Sequence, residues 1–459
     1  MSLCECEISI QGGGTTAGGV GGVGGDSEIV DPFCNPDKPV CIPFEKVALA
    51  YVLIRDHVKK TPCELSHLSK ITGINIYLKL EFTQFTGSFK ERGARFTMLQ
   101  LSDEKKKKGC VSASAGNHAL AMCYHGLKLG IPITVVMPVI APLMKVQKCR
   151  ELKGNVIVQG ANMQEAKNIA MKIAQDTGAL YINGYDHPDI LAGQGTIGID
   201  ILEQVPNVDA VVVPVGGGGL IAGVSLAMKT LKPSAKVIGV ESVCCAGFAN
   251  SLKAGKPVHT ESKPSMADGL AVPVVGYNSV QTAKNYVDRM VVVKEEDIAV
   301  SILRVLEMEK HVVEGAGATP VAAVLSGQLD EFIGKNVVLL LSGGNIDSTV
   351  LHRAIERGLA ADGRLIKIFV KVSDRPGGLA ELASIIGSTG AGIKRISQER
   401  AWLKMDVFSV EVKVVLETRD YEHVQEIRKA LLARYKDARI EHAEFPASSA
   451  VNQRFKPSY

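Results

Sequence analysis

Short apolar runs alternate with stretches of helical period over residues 41–357. The runs at residues 131–137, 155–158 and 180–183 have the length and apolar content of buried strands. Between them, residues 163–175 place apolar side chains at helical spacing. Alternating strands and helices are typical of mostly parallel sheets, so this pattern predicts an α/β fold.

The pattern changes in residues 363–447, where polar and apolar positions alternate in several short stretches. Residues 365–372 predict a half-buried strand, and a turn at residues 374–379 leads into a helix over 380–387. There follow predicted strands at 393–400 and 407–416, a helix at 421–435 and a strand at 439–445. This βαββαβ order with antiparallel pairing predicts a ferredoxin-like domain, followed by a tail over residues 448–459.

The first 40 residues have the composition of a disordered, glycine-rich tail, since residues 12–25 are mostly glycine. The segment lacks the arginine-rich pattern of a transit peptide and the continuous apolar core of a signal peptide. We therefore expect a cytoplasmic protein.

Composition narrows the class of function. A chain of 459 residues predicts two or three domains, and its 46% hydrophobic content is sufficient for substantial cores. No uninterrupted apolar run reaches the ~18 residues of a membrane span. The net charge of +4 is too small to indicate nucleic-acid or membrane binding. Ten irregularly spaced cysteines suit reduced thiols.

Candidate chemistry begins at Lys90, which lies in a small-residue loop, residues 85–94, before a predicted helix. A lysine amine is a nucleophile only when it can lose its proton, and a desolvated position favours that loss. Such a lysine suits a Schiff base with an aldehyde.

Three further polar loops each follow a predicted strand and precede a helical pattern. They are residues 114–118, 216–220 and 342–345. This geometry directs backbone N–H groups and a helix N-terminus toward an anion. The 216–220 loop also matches a dinucleotide-binding pattern through Gly217, Gly219 and Ala222, with Glu241 ending the next strand. That alternative leaves Lys90 and the other two loops without roles, whereas a pyridoxal phosphate site uses all four.

The four motifs, in this order, resemble the fold-type II pyridoxal-phosphate enzymes, and within them the threonine/serine dehydratase and serine racemase branch. The resemblance covers roughly residues 43–355 and implies a catalytic region of two lobes with mostly parallel sheets, the small lobe spanning about residues 85–185. Lys90 would bind the cofactor as a Schiff base and remove the substrate Cα proton. Asn117 would bind the cofactor 3′-oxygen, and Ser342 would face the pyridine nitrogen. The full set of implied cofactor contacts is Phe89, Lys90, Asn117, Gly216, Gly217, Gly218, Gly219, Leu220 and Ser342, and the implied substrate-carboxylate contacts are Ser114, Gly116, Asn117 and His118.

One position separates the two activities of this branch. Racemisation needs a proton donor on the face opposite the lysine, which the racemase pattern supplies as a serine. Ala115 occupies that position here and has no transferable proton. We therefore predict β-elimination of L-threonine or L-serine to 2-oxobutanoate or pyruvate plus ammonia, with serine racemase and a non-catalytic amino-acid sensor as alternatives.

Two acidic residues have open roles. Glu241 matches the first ligand of the racemase-type cation site, but Gly247 replaces the expected aspartate, so we predict no metal. Glu314 falls at a position expected near the active site, with a solvated or capping role as the alternative.

The turn containing Arg375, Gly377 and Gly378 resembles that of ACT domains, small modules that commonly bind an amino acid between paired copies. The resemblance implies an amino-acid effector and a homo-oligomer, a dimer or tetramer. A dimerisation module without a ligand is the alternative, because this fold has many functions.

Overall fold

The computed structural model describes residues 30–401 and 407–441. The predicted tails at residues 1–29 and 448–459 lie outside the described residues. The strands within the described residues are β1 Cys63–Leu65, β2 Asn75–Lys79, β3 Cys110–Ala113, β4 Ile133–Met137, β5 Asn155–Val158, β6 Leu180–Tyr181, β7 Ala210–Pro214, β8 Lys236–Ser242, β9 Arg289–Val293, β10 Asn336–Leu340, β11 Leu365–Ser373, β12 Gly392–Glu399, β13 Ser409–Glu417 and β14 Arg439–Glu441.

The helices fill the connections between these strands. Within the described residues they are α1 Phe44–Ile54, α2 Ser69–Thr72, α3 Lys90–Leu99, α4 Asp103–Lys108, α5 Asn117–Leu129, α6 Leu143–Glu151, α7 Met163–Thr177, α8 Pro188–Gln204, α9 Gly219–Leu231, α10 Gly247–Ala254, α11 Tyr277–Ala283, α12 Glu295–Arg304, α13 Gly315–Leu325, α14 Ser348–Ala361, α15 Gly378–Ser388 and α16 Tyr421–Arg434. None of them is long and apolar enough to cross a membrane.

Two sheets form the catalytic region. The larger has the order β1-β2-β10-β7-β8-β9 and is parallel except for the pairing of β1 with β2. The smaller, β5-β4-β3-β6, is entirely parallel. Apolar clusters cover both faces of the larger sheet, as a buried parallel sheet requires. The predicted α/β fold class is confirmed.

The C-terminal strands form a separate antiparallel sheet of order β12-β13-β11-β14. With α15 and α16 this sheet has the predicted βαββαβ order. Its core comes from alternate residues of β11 and β13, such as Ile368 and Val412, packed against the two helices. The part of the last predicted strand beyond residue 441 lies outside the described residues.

Strand β6 ends two residues before the apolar pattern suggests. The Asn183 side chain accepts hydrogen bonds from the backbone N–H groups of Tyr185 and Asp186, at 3.0 and 3.1 Å. This local turn removes the backbone from the sheet, since asparagine favours turns of this kind.

Residues 30–40 differ from the predicted disordered tail. Asp31 is buried, and the Phe33 ring packs on His187 at 4.5 Å between ring centroids. The Asn278 side chain donates to the Phe33 carbonyl and accepts from the Val40 N–H, both at 2.7 Å. The segment is ordered because Asn278, on α11, supplies the hydrogen bonds that its own sequence cannot.

A buried network of charges joins α3 to the rest of the catalytic region. Arg92 on α3 donates to Glu81 at 2.7 Å and to Asp200 on α8 at 2.6 Å. All three side chains are almost fully buried. Lys79 adds a second cation beside Asp200, at 3.5 Å. The proximity of Arg92 lowers the pKa of Glu81, although burial opposes that effect.

We predict that Arg92→Met lowers the free energy of unfolding by about 3–5 kcal/mol, because it leaves buried carboxylates without their partner. Chemical denaturation followed by circular dichroism measures the change. Arg55→Met removes an exposed arginine and should change the free energy by less than about 0.5 kcal/mol. Equal losses in both variants would contradict the prediction.

Candidate active site

The structure brings three of the four predicted loops into direct contact. The Phe89 N–H donates to the Ser342 carbonyl at 3.0 Å, and the Gly344 N–H donates to the Gly87 carbonyl at 3.0 Å. The Asn345 side chain donates to Asn117 Oδ1 at 2.9 Å. The lysine loop therefore contacts the 342–345 loop directly, and Asn345 connects the 114–118 loop to both.

Lys90 is the first residue of α3, and its Nζ donates to the Gly184 carbonyl at 2.5 Å. Burial lowers the pKa of this amine to about 8, an effect that the nearby Glu314 carboxylate opposes. Phe89 is the N-cap residue of this helix, and the centroid of its ring lies 5.2 Å from Lys90 Nζ. Lys90 therefore loses its proton at a lower pH than an exposed lysine does, and its uncharged amine can act as a nucleophile or base.

The glycine loop forms a cradle that only glycine permits. A Cβ on Gly217 would lie 2.3 Å from the Tyr185 ring, and one on Gly219 would lie 2.4 Å from the Tyr185 carbonyl. Gly218 adopts a φ of +96° directly before α9. Gly216 is enclosed by Gly269 and Leu270, and Leu220 lies in the first turn of α9. The helix N-terminus and the close backbone suit a phosphate.

Tyr185 connects this cradle to Lys90, because it directly follows the Gly184 that accepts from Nζ. Neither residue was predicted from the sequence. Gly184 contributes a backbone carbonyl to the site and Tyr185 contributes the face of its ring, and no sequence motif indicates either contact.

The side-chain amide of Asn117 forms hydrogen bonds with two other residues of the site. Its Nδ2 donates to Glu314 Oε1 at 2.7 Å, while its Oδ1 accepts from Asn345. An amide nitrogen carries two hydrogens, so one remains for a ligand. The predicted contact with a cofactor oxygen is compatible with this arrangement and stays a prediction.

Glu314 lies within this group of side chains, and the solvated alternative is wrong. Its side chain is buried, and burial together with the Asp268 carboxylate raises its pKa to about 7. A Cβ on Gly343 would meet Glu314 Oε1 at 2.3 Å, so the glycine allows the carboxyl group to approach the loop. The pKa of this carboxyl makes it a proton donor or acceptor near neutral pH.

The 114–118 loop provides mainly neutral groups. Ser114 Oγ accepts from the Gly116 N–H at 3.3 Å. Burial lowers the pKa of His118 to about 3, so its imidazole is uncharged. His118 Nδ1 has no hydrogen-bond partner among the described residues, and the same holds for the buried Ser88 Oγ beside Lys90. Buried polar atoms of this kind are expected where a ligand supplies the missing partner.

Ser342 is buried two residues after the end of β10, at the carboxyl edge of the larger sheet. Its predicted position opposite a pyridine nitrogen stays a prediction. The lysine with a lowered pKa, the glycine cradle and the unpartnered polar atoms together fit pyridoxal phosphate.

Glu241 lies on β8, the strand that pairs with β7, and β7 leads into the glycine loop. Its two carboxylate oxygens accept from the backbone N–H groups of Phe248 and Ala249, at 2.7 and 2.9 Å, at the start of α10. Burial raises the pKa of Glu241 to about 7. No group of three metal-ligating side chains occurs among the residues that the structure describes.

Comparisons with known proteins agree with this geometry. Residues 54–343 match the family described as "Pyridoxal-phosphate dependent enzyme". The chain is 44% identical over 400 residues to an L-threonine ammonia-lyase of Thermotoga maritima, covering 87% of this chain and 99% of that protein.

Two solved structures are similar in fold. Threonine deaminase isoform 2 from Solanum lycopersicum matches with a TM-score of 0.65 and 34% identity, over 72% of this chain and 99% of that one. A maize serine racemase matches with a TM-score of 0.66 and 31% identity, over 70% and 98%.

We predict that cofactor-free protein captures pyridoxal phosphate at a rate that rises with pH up to about 8, the pKa of Lys90, and then levels. An ordinary exposed lysine would continue to gain reactivity until about pH 10.4. Stopped-flow absorbance over the pH range measures the rate. Free Nα-acetyl-lysine is the control for protonation of the aldehyde itself. The prediction would be contradicted if the capture rate reached half of its maximum at the same pH for the protein and for this control.

Proposed function

The chain belongs to the family of pyridoxal-phosphate-dependent enzymes, and from that membership we propose that it is an L-threonine ammonia-lyase that also accepts L-serine. The reaction is β-elimination of water followed by hydrolysis, giving 2-oxobutanoate or pyruvate and ammonia. The observation that carries the proposal is the buried Lys90 amine, which donates to the Gly184 carbonyl directly before Tyr185, the residue that packs against the glycine cradle.

Pyridoxal phosphate, when bound, supplies an aldehyde for the substrate amino group and a ring that withdraws electrons from Cα. The glycine cradle and the first turn of α9 would hold its phosphate. Asn117 and Ser342 would set the orientation of its ring.

Lys90 then acts as the base. Its uncharged amine accepts the Cα proton, and the pKa of about 8 keeps a useful fraction of that amine free at neutral pH. The 114–118 loop orients the substrate carboxylate so that the Cα–H bond points to Nζ. With Cα deprotonated, the Cβ–O bond breaks and the β-hydroxyl takes up a proton as it departs, so that it leaves as water.

Ala115 favours the lyase over the racemase. It lies at the position where a racemase would need a proton donor, and a methyl group cannot return a proton to the opposite face. The similarity to a serine racemase structure makes that activity the second candidate. A non-catalytic sensor is the third, and the retained Lys90, Asn117 and glycine loop argue against it.

We also propose that the C-terminal βαββαβ unit is an ACT domain that binds an amino-acid effector. The 400 aligned residues shared with the Thermotoga maritima protein exceed the 54–343 span of the family match, which supports a shared C-terminal unit. A cavity of about 480 Å³ lies beside the predicted effector turn, lined by residues that include Lys371, Ser373 and Arg375. We further propose that the protein is a cytoplasmic homo-oligomer. The alternative is that the C-terminal unit serves only for dimerisation and binds no ligand.

We predict that Lys90→Ala abolishes turnover of L-threonine, because no other described side chain takes the place of its amine. Release of ammonia and 2-oxobutanoate from cofactor-loaded protein measures activity. Lys107→Ala, which removes an exposed lysine on α4, should retain full activity. Normal turnover by the Lys90 variant would refute the mechanism, and an inactive wild type with cofactor bound would favour the sensor.

We predict that wild-type protein forms oxo acid from L-serine without D-serine, and that Ala115→Ser produces measurable D-serine. The introduced hydroxyl would supply the missing proton on the opposite face. Chiral chromatography of the same reaction mixtures measures both products. D-serine from the wild type in amounts comparable to pyruvate would make the racemase assignment correct.

A further inference from the structure

A lysine on α6, in addition to Lys90, approaches the candidate active site. Lys145 lies in the first turn of that helix, and its Nζ is 3.9 Å from the position that a Cβ on Gly116 would occupy. Apart from Gly116 itself and its two chain neighbours, no other heavy atom of the described residues lies within 4 Å of this Cβ position. The absence of a side chain at Gly116 therefore leaves a gap that opens from the loop toward the ammonium group.

Lys145 makes no ion pair with any described residue, and its side chain is only partly exposed. Its charge nevertheless reaches the site, because it opposes the rise that burial causes in the pKa of Glu314 and contributes to the lowered pKa of Asp347. A partly exposed cation without a carboxylate partner is available to bind an anionic group of a ligand.

The 114–118 loop lacks the positive charge that this lysine could supply. Ser114 Oγ already accepts from Gly116, and His118 is uncharged. Asn117 already bonds to Glu314 and Asn345. The buried His118 Nδ1 without a partner and the free N–H groups in the first turn of α5 mark the loop as a ligand site. Those groups can orient an anion, but none of them carries a full charge.

We propose that Lys145 binds the α-carboxylate of the substrate across Gly116, supplying the full positive charge that the 114–118 loop does not have. The inference rests on the proposed amino-acid substrate. The carboxylate would lie between the loop N–H groups and the ammonium, so that recognition combines fixed dipoles with one charge-assisted hydrogen bond. Lys145 would then distinguish an amino acid from an amine or an amide.

The test compares binding of L-alanine with binding of L-alaninamide to cofactor-loaded protein. Neither probe has a β-hydroxyl to lose, and the change in cofactor absorbance on binding gives each dissociation constant. The preference for alanine over alaninamide in each variant is divided by the wild-type preference, so intrinsic differences between the probes cancel. KM and kcat for L-threonine are measured in parallel.

We expect Lys145→Met to reduce the preference for alanine about tenfold, the effect of a partly exposed charge-assisted contact, and to raise KM more than it lowers kcat. Lys145→Arg should restore most of the preference, since it keeps the charge. The control Lys148→Met removes an exposed lysine from the same helix and should leave the preference unchanged. Lys145→Gln serves the same purpose if the methionine variant does not fold.

Two outcomes would overturn the inference. Equal losses of affinity for alanine and alaninamide would show that Lys145 acts on the shape of the site, and an unchanged preference would show that it does not contact the carboxylate. The proposed function fails separately, when the wild type binds alanine in preference to alaninamide but does not release oxo acid from threonine.

Discussion

The buried ion network of Arg92, Glu81 and Asp200 sets the position of the reactive lysine. Arg92 lies two residues after Lys90 on α3, and its guanidinium reaches Asp200 on α8 and Glu81, which is two residues beyond the end of β2. The helices approach so closely that a Cβ on Gly193 would lie 2.6 Å from the Gly93 Cα. Residues 183–187 lead into α8, so the same contact positions the Gly184 carbonyl that accepts from Lys90. Donor and acceptor are therefore fixed by a single packed helix pair.

Burial determines the protonation states within the cleft. It lowers the pKa of Lys90 to about 8 and that of His118 to about 3, and it raises that of Glu314 to about 7. Each shift favours the uncharged form, as desolvation requires. The result is a base and a carboxyl group that both exchange protons near neutral pH, beside an imidazole that remains neutral. Such a site can transfer protons without accumulating charge that water would have to stabilise.

The catalytic region and the C-terminal sheet are joined through ion pairs at the end of α14. Arg304 on α12 binds Asp362 at 2.7 Å, and Arg364 binds Glu307 at 2.7 Å. The Thr418 N–H donates to the Arg364 carbonyl at 3.0 Å, which connects the end of β13 to the same junction. A change in the C-terminal sheet would act first on these contacts.

Local patterns along the chain were sufficient to predict most secondary-structure elements and the candidate reactive groups. Apolar periodicity identified helix α7 and strands β4 and β5 to within two residues, because side-chain spacing follows directly from backbone geometry. Four motifs identified Lys90, the glycine loop, the 114–118 loop and the 342–345 loop. Contacts between residues far apart in the chain could not be predicted in this way. Asp31 and Phe33 are ordered through Asn278, more than 200 residues away. Glu314 was expected near the site, but its contact with Asn117 depends on the folding of distant segments, and so does the approach of Lys145 to Gly116. A pKa or a contact across such distances depends on which groups pack together, and no local pattern contains that information.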